Sequence, residues 1–163
     1  MKRIVISLIA LAIASNAFAQ ENRAFRKGYS GNVEVANMTV FGKDMYGGMM
    51  QVATTHGYQT GTGAFIGFGA GVQYDMHVSD VSATVFLDGK YNFLDAKVSP
   101  YAFVRTGVRF CAGPTLGNFI NVGGGVDFGC CSVRIGYERI ATITNHTILG
   151  KENALSCSFA FVF

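Results

Sequence analysis

Along most of this chain apolar and polar residues alternate with a period of two, the signature of strands with two unlike faces. The stretch 64–76 is the clearest. Ile66, Phe68, Ala70, Val72, Tyr74 and Met76 fall on one side, with Gly67, Gly69, Gly71, Gln73 and Asp75 on the other. The same reading predicts strands over 29–37, 49–58, 81–93, 98–110, 119–128, 131–140 and 154–163, making eight in all. No segment repeats the 3.6-residue period of an amphipathic helix, so the pattern predicts an all-β chain.

Most of these strands approach the ~9–11 residues that a tilted strand needs to cross a bilayer. Strands of soluble domains are more often ~5–6 residues long. The second, fourth and sixth links, 59–63, 94–97 and 129–130, are short. The odd links 38–48, 111–118 and 141–153 are longer, and 77–80 is the exception. Transmembrane barrels show this asymmetry, with tight periplasmic turns and longer outer loops.

The chemistry of the two faces decides which is wet. The polar parity carries glycines and charges of both signs: Glu34, Asp75, Asp88, Lys90, Arg105, Arg109, Asp127, Arg134 and Glu138. An eight-stranded barrel has an interior just wide enough for side chains to fill, and small residues with paired charges meet that demand. Phe65, Phe86 and Phe103 share this parity, so aromatic side chains are expected to help plug the interior. The other parity is bulky and apolar on every strand and reads as lipid-facing. Only helices and closed barrels satisfy every backbone group in hydrocarbon. The expected fold is therefore an eight-stranded antiparallel up-and-down transmembrane β-barrel, with the last strand, LSCSFAFVF, paired to the first.

Composition adds an address. A basic Met1-Lys2-Arg3, the apolar run IVISLIALAIA and a small-x-small Ala17-Phe18-Ala19 have the layout of a secretory leader. Residues 1–19 are thus expected to be removed and 20–163 to form the barrel. Lys2 and Arg3 leave with the leader, so the 13 basic residues fall to 11 against 10 acidic ones. That balance offers no electrostatic footprint for nucleic acid. The four cysteines, Cys111, Cys130, Cys131 and Cys157, do not have metal-site spacing and read as structural thiols, with no disulfide pairing implied.

The C-terminal strand, with Phe159, Phe161 and Phe163 at alternate positions, resembles the assembly signal of bacterial outer-membrane barrels. In size and layout the chain is similar to the small OmpA-transmembrane-like and OmpX-like barrels. The segments KGYSGNVEVAN and TTHGYQTGTGAFIGFGAGVQY also resemble a group of short barrels from Gram-negative bacteria. The resemblance implies a monomer in the bacterial outer membrane, in contact with outer-membrane lipid and delivered by the barrel assembly machinery. The chain departs from such barrels in having no Trp for its aromatic belts; Tyr29, Tyr58, Tyr91 and Tyr137 are available instead.

Candidate chemistry is sparse. His77, Ser79 and Asp80 supply the residue types of a Ser–His–acid site, but side chains crowded on one turn rarely converge in working geometry. His56 reads as an interface residue and His146 as a solvated one. The glycine runs lie in or beside strands and lead into no helix, so they do not read as phosphate loops. No catalytic residue, metal site or cofactor is expected. The function expected is a non-enzymatic, porin-like barrel with a filled interior that acts through its outer loops. The alternatives are a lipid-modifying enzyme of the outer leaflet and a soluble periplasmic β-barrel or sandwich binder.

Overall fold

The computed structural model describes residues 25–41, 46–76, 79–111, 115–144 and 147–163, and the expected leader lies outside them. Eight strands follow one another: β1 Gly28–Phe41, β2 Tyr46–Gln59, β3 Ala64–Asp75, β4 Asp80–Asn92, β5 Val98–Phe110, β6 Thr115–Phe128, β7 Cys131–Thr144 and β8 Thr147–Val162. Each pairs with its sequence neighbour, and β8 returns to β1, which closes an antiparallel barrel. The seam is continuous from Asn32 opposite Val162 to Phe41 opposite Asn153. Reciprocal backbone bonds of 2.8 Å between Gly31 and Phe163 extend it by one step.

Register fixes the shape. Starting at Phe110, paired residues lead through Ala83, Val72, Val52, Val35, Phe159, Val133 and Val126 back to β5 at Pro100. That displacement along β5 is ten residues, from 110 to 100. With a rise of ~3.3 Å per residue and ~4.7 Å between strands, a shear of this size over eight strands means a tilt of about 40°. The bore is correspondingly narrow, and side chains fill it.

The two faces are inverted relative to a soluble fold. Outward positions carry exposed Ile66 (68%), Val98 (59%), Phe68 (58%) and Leu87 (55%), whereas inward Glu34 and Asp88 are 2% and 1% exposed. A lipocalin-like binder or a soluble sandwich buries the apolar parity, so the soluble alternative does not describe this chain.

The links differ from the sequence expectation. β1 runs on to Phe41 and β2 begins at Tyr46, so most of 38–48 is strand. The stretches 111–118 and 141–153 likewise shorten to 111–114 and 145–146 as β6, β7 and β8 extend. β-Branched and aromatic residues at Thr39, Val40, Phe41 and Ile143 favour continued pairing beyond the apolar belt. The hairpins at this end are therefore long ribbons rather than loops. At the opposite end the links 60–63, 93–97 and 129–130 stay short, and Gly129 at φ 66° supplies the left-handed residue a tight hairpin needs. The end with these three links is called inner below, following the convention for such barrels.

Inside, Phe86 lies between two glycines, with Gly69 opposite it on β3 and Gly107 opposite it on β5. A Cβ on Gly69 would run into the ring, and one on Gly107 into the Cβ of Phe86. Gly69→Ala is therefore expected to destabilise the barrel by about 1–3 kcal/mol through overpacking. The check is the urea midpoint of the refolded protein in detergent, followed by heat-modifiable migration on gels; an unchanged midpoint would contradict the packing.

Candidate functional site

The inward parity of five strands brings the eight charged residues singled out from the sequence into one bore: Glu34 on β1, Asp88 and Lys90 on β4, Arg105 and Arg109 on β5, Asp127 on β6, and Arg134 and Glu138 on β7. They sort into three charge-balanced groups. At the centre, Arg105 grips Glu34 with two parallel bonds, Nη1 to Oε1 at 2.9 Å and Nη2 to Oε2 at 3.0 Å. Its Nη2 also reaches Asp88 Oδ2 at 2.8 Å. Arg134 Nη1 donates to the same Asp88 oxygen at 3.0 Å, and Arg134 Nε lies 3.5 Å from Glu34 Oε2. Two guanidiniums thus share two carboxylates. The planar fork of arginine suits such bidentate contacts, which a lysine would not reproduce.

Aromatic rings hold the guanidiniums in place. Arg105 lies 4.2 Å over the Phe86 ring and Arg134 4.7 Å over Phe103. The glycines beside Phe86 therefore serve the ion cluster as well as the packing, because they let that ring lie where Arg105 needs it.

Toward the inner end, Lys90 Nζ meets Asp127 Oδ2 at 2.8 Å, and Asn92 Nδ2 donates to the same oxygen at 2.7 Å. Lys90 also sits 4.9 Å over Tyr101, whose hydroxyl is 2.7 Å from Ser132 Oγ. Toward the outer end, Arg109 Nη2 lies 3.6 Å from Glu138 Oε1, while Asn121 Nδ2 donates at 3.0 Å to both Glu138 Oε2 and Ser156 Oγ.

Beside these groups the bore is closed by a second device, which the sequence reading missed. Met38, Val40, Met49, Phe119 and Ile140 are buried and pack with Phe86 into one apolar cluster. Arg109 Nη1 rests 3.7 Å from Met49 Sδ where the charged and apolar parts meet. The signal was present: these apolar residues occupy the polar parity. Met38 and Val40 were hidden because the predicted first strand stopped at 37, whereas Met49, Phe119 and Ile140 stand at the ends of predicted strands and meet only through the closed register.

The assembly-signal residues Phe159 and Phe161 point outward and meet edge to face at 5.2 Å. Phe163 packs edge-on to His56 at 6.2 Å, over the small surface of Gly31. His56 stands on the outward face with both ring nitrogens engaged, Nδ1 by the Tyr29 hydroxyl and Nε2 by Thr54 Oγ1 at 3.0 Å. Thr54 in turn donates to the Asn32 carbonyl at 3.1 Å. Such a chain satisfies the polar atoms of a histidine on an apolar face.

Of the turn residues weighed for chemistry, Asp80 Oδ1 accepts the Val81 N–H at 2.9 Å, so the carboxylate caps its own strand. Ser79 takes a positive φ of 54°. His77 and His146 lie outside the described residues. The four cysteines are free thiols, with Cys130 Sγ and Cys131 Sγ 3.9 Å apart at the β6–β7 turn. Among the described residues no group of three or more His, Cys, Asp or Glu side chains is placed to hold a metal.

No family model matches this chain. No curated protein matches it either. Solved structures do. The outer membrane enzyme PagL aligns with a TM-score of 0.60 at 16% identity, covering 80% of this chain and 98% of that one. Neisserial surface protein A, NspA, aligns at 0.58 and 11% identity, covering 82% and 96%. The N-terminal β-barrel domain of Pseudomonas aeruginosa OprF aligns at 0.51 and 12% identity, covering 85% and 100%. Within this fold, then, one protein is an enzyme and another a surface protein, and the architecture here is that of the small eight-stranded barrels of the bacterial outer membrane.

Proposed function

We propose that residues 20–163, freed of the leader, form a non-enzymatic, non-conducting barrel that spans the outer membrane as a monomer and acts at its outer rim. The observation that carries this reading is the inverted distribution of side chains: a charge-balanced, ring-stacked interior inside an apolar outward face. A lumen built to pass solutes would keep its charges apart and hydrated. Here they neutralise one another, and the apolar cluster around Met38 and Ile140 adds a hydrophobic stopper. The interior supports the wall, which leaves the hairpin ends and the outward face for contact with partners.

PagL brings an enzyme into the comparison, so acyl release is tested beside conduction. Phe159, Phe161 and Phe163 are assigned to recognition by the barrel assembly machinery on the strength of the resemblance of β8 to that signal. Purified protein in a planar bilayer is expected to show no steady single-channel current. Porin-like steps would overturn the reading of the lumen, and acyl release from outer-leaflet lipid by the same preparation would overturn the non-enzymatic reading.

A further inference from the structure

The apolar belt is uneven around the barrel. On β4 the outward positions from Val81 through Leu87 to Tyr91 hold no polar side chain. On β1 the apolar outward positions are interrupted after Val35 by Asn37 and Thr39, both exposed, before Phe41 resumes them. On β7 exposed Arg139 follows Tyr137. On β8 Leu155 is the last before Asn153. These breaks are neighbours, since Arg139 pairs with Asn153, and Phe41, two residues beyond Thr39, pairs with Asn153 from the other side. The belt is thus interrupted on one side, toward the outer end, by a polar patch that includes an arginine and is flanked by exposed Phe41 and Ile120.

That arginine differs from the three inside. Arg105, Arg109 and Arg134 each meet a carboxylate, whereas Arg139 has no ion pair among the described residues. Its surroundings supply donors. The Tyr137 hydroxyl donates to Asn153 Oδ1 at 2.6 Å, which occupies the amide oxygen and leaves the Asn153 NH2 available. Asn118, opposite Ala141 on the next strand, is exposed at the flank of the patch. Below it lie exposed Ile135, Val122 and Leu155, a surface for acyl chains.

We propose that this patch on β7, β8 and β1 holds the phosphate-bearing headgroup of an outer-leaflet lipid, with Arg139 pairing the phosphate and Asn153 donating beside it. The inference rests on the outer-membrane reading above. Its chemistry follows from a lone guanidinium and amide donors set where an apolar wall is interrupted. Guanidinium binds phosphate strongly and with geometric preference, and an acyl-bearing ligand would satisfy both halves of the surface.

The test titrates the detergent-folded barrel with lipid A carrying its phosphates and with lipid A stripped of them, and reads bound lipid by native mass spectrometry. The wild type is expected to bind the phosphorylated form about tenfold more tightly, equivalent to about 1.4 kcal/mol. Arg139→Gln should abolish that preference, Arg139→Lys should keep part of it, and none should alter binding of the stripped lipid. Equal binding of the two lipids by the wild type, or an unaltered preference in Arg139→Gln, would overturn the proposal. A wild-type dimer broken by Arg139→Gln would also overturn it, by assigning the patch to a second copy of the chain. Heat-modifiable migration, recorded for each sample, tests the barrel reading separately, because Arg139 lies outside the buried ion cluster.

Discussion

Replacing Arg105 by methionine is expected to destabilise the folded barrel by about 3–5 kcal/mol, the range for breaking a buried ion pair from one side. The size follows from what is left behind. Glu34 and Asp88, both almost wholly buried, lose three of their charge-assisted bonds together and keep only Arg134 between them. Two carboxylates facing one guanidinium leave one negative charge uncompensated inside a low-dielectric bore, which is the costly element. If that charge is the cause, removing it should restore part of the loss. The double variant Arg105→Met/Glu34→Gln leaves Asp88 paired with Arg134 at 3.0 Å and should recover stability relative to Arg105→Met alone. The measurement is a double-mutant cycle on urea unfolding in one lipid or detergent. Additive losses would mean that packing of the methionine against Phe86, rather than charge balance, sets the cost.

That pairing also marks the boundary of what sequence can show. Parity alone placed Glu34, Asp88, Arg105 and Arg134 on the inward face, because a period of two leaves only one choice per strand. It did not say which charge meets which. Arg105 and Glu34 are 71 residues apart, and their meeting depends on the ten-residue shear, a property of the closed sheet that no local window contains. Strand ends were harder still. The hydrophobic run of β1 breaks at Asn37, where the eye ends a strand, yet backbone pairing continues to Phe41 because a ladder does not require its outward residues to be apolar. That early stop hid the inward Met38 and Val40 and the outward Thr39; Arg139 lies within the predicted strand 131–140, and only the closed register sets it beside Asn153 and the end of β1.

The outward face itself is tested on β8. Phe159 lies between Val35 and Val133, well within the apolar belt, whereas Phe161 lies between Val33 and Cys131, the first residue of β7 at the inner turn. An arginine on the lipid face costs ~2–4 kcal/mol near the midplane and ~0–1 near the interface. Phe159→Arg should therefore reduce the heat-modifiable fraction in outer membranes more than Phe161→Arg. Ser158→Ala, inward and with no hydrogen-bond partner for its hydroxyl among the described residues, should match the wild type. Deleting Phe163 separates energetics from recognition. The deletion removes the reciprocal bonds to Gly31 and the ring that packs on His56, a modest loss at the seam. If the terminal strand is also read by the assembly machinery, the deletion variant should refold in detergent nearly as well as the wild type yet accumulate poorly as folded barrel in cells. Equal assembly in cells would refute the recognition role of Phe163, and a Phe159→Arg variant that assembles like Ser158→Ala would refute the assignment of this face to lipid.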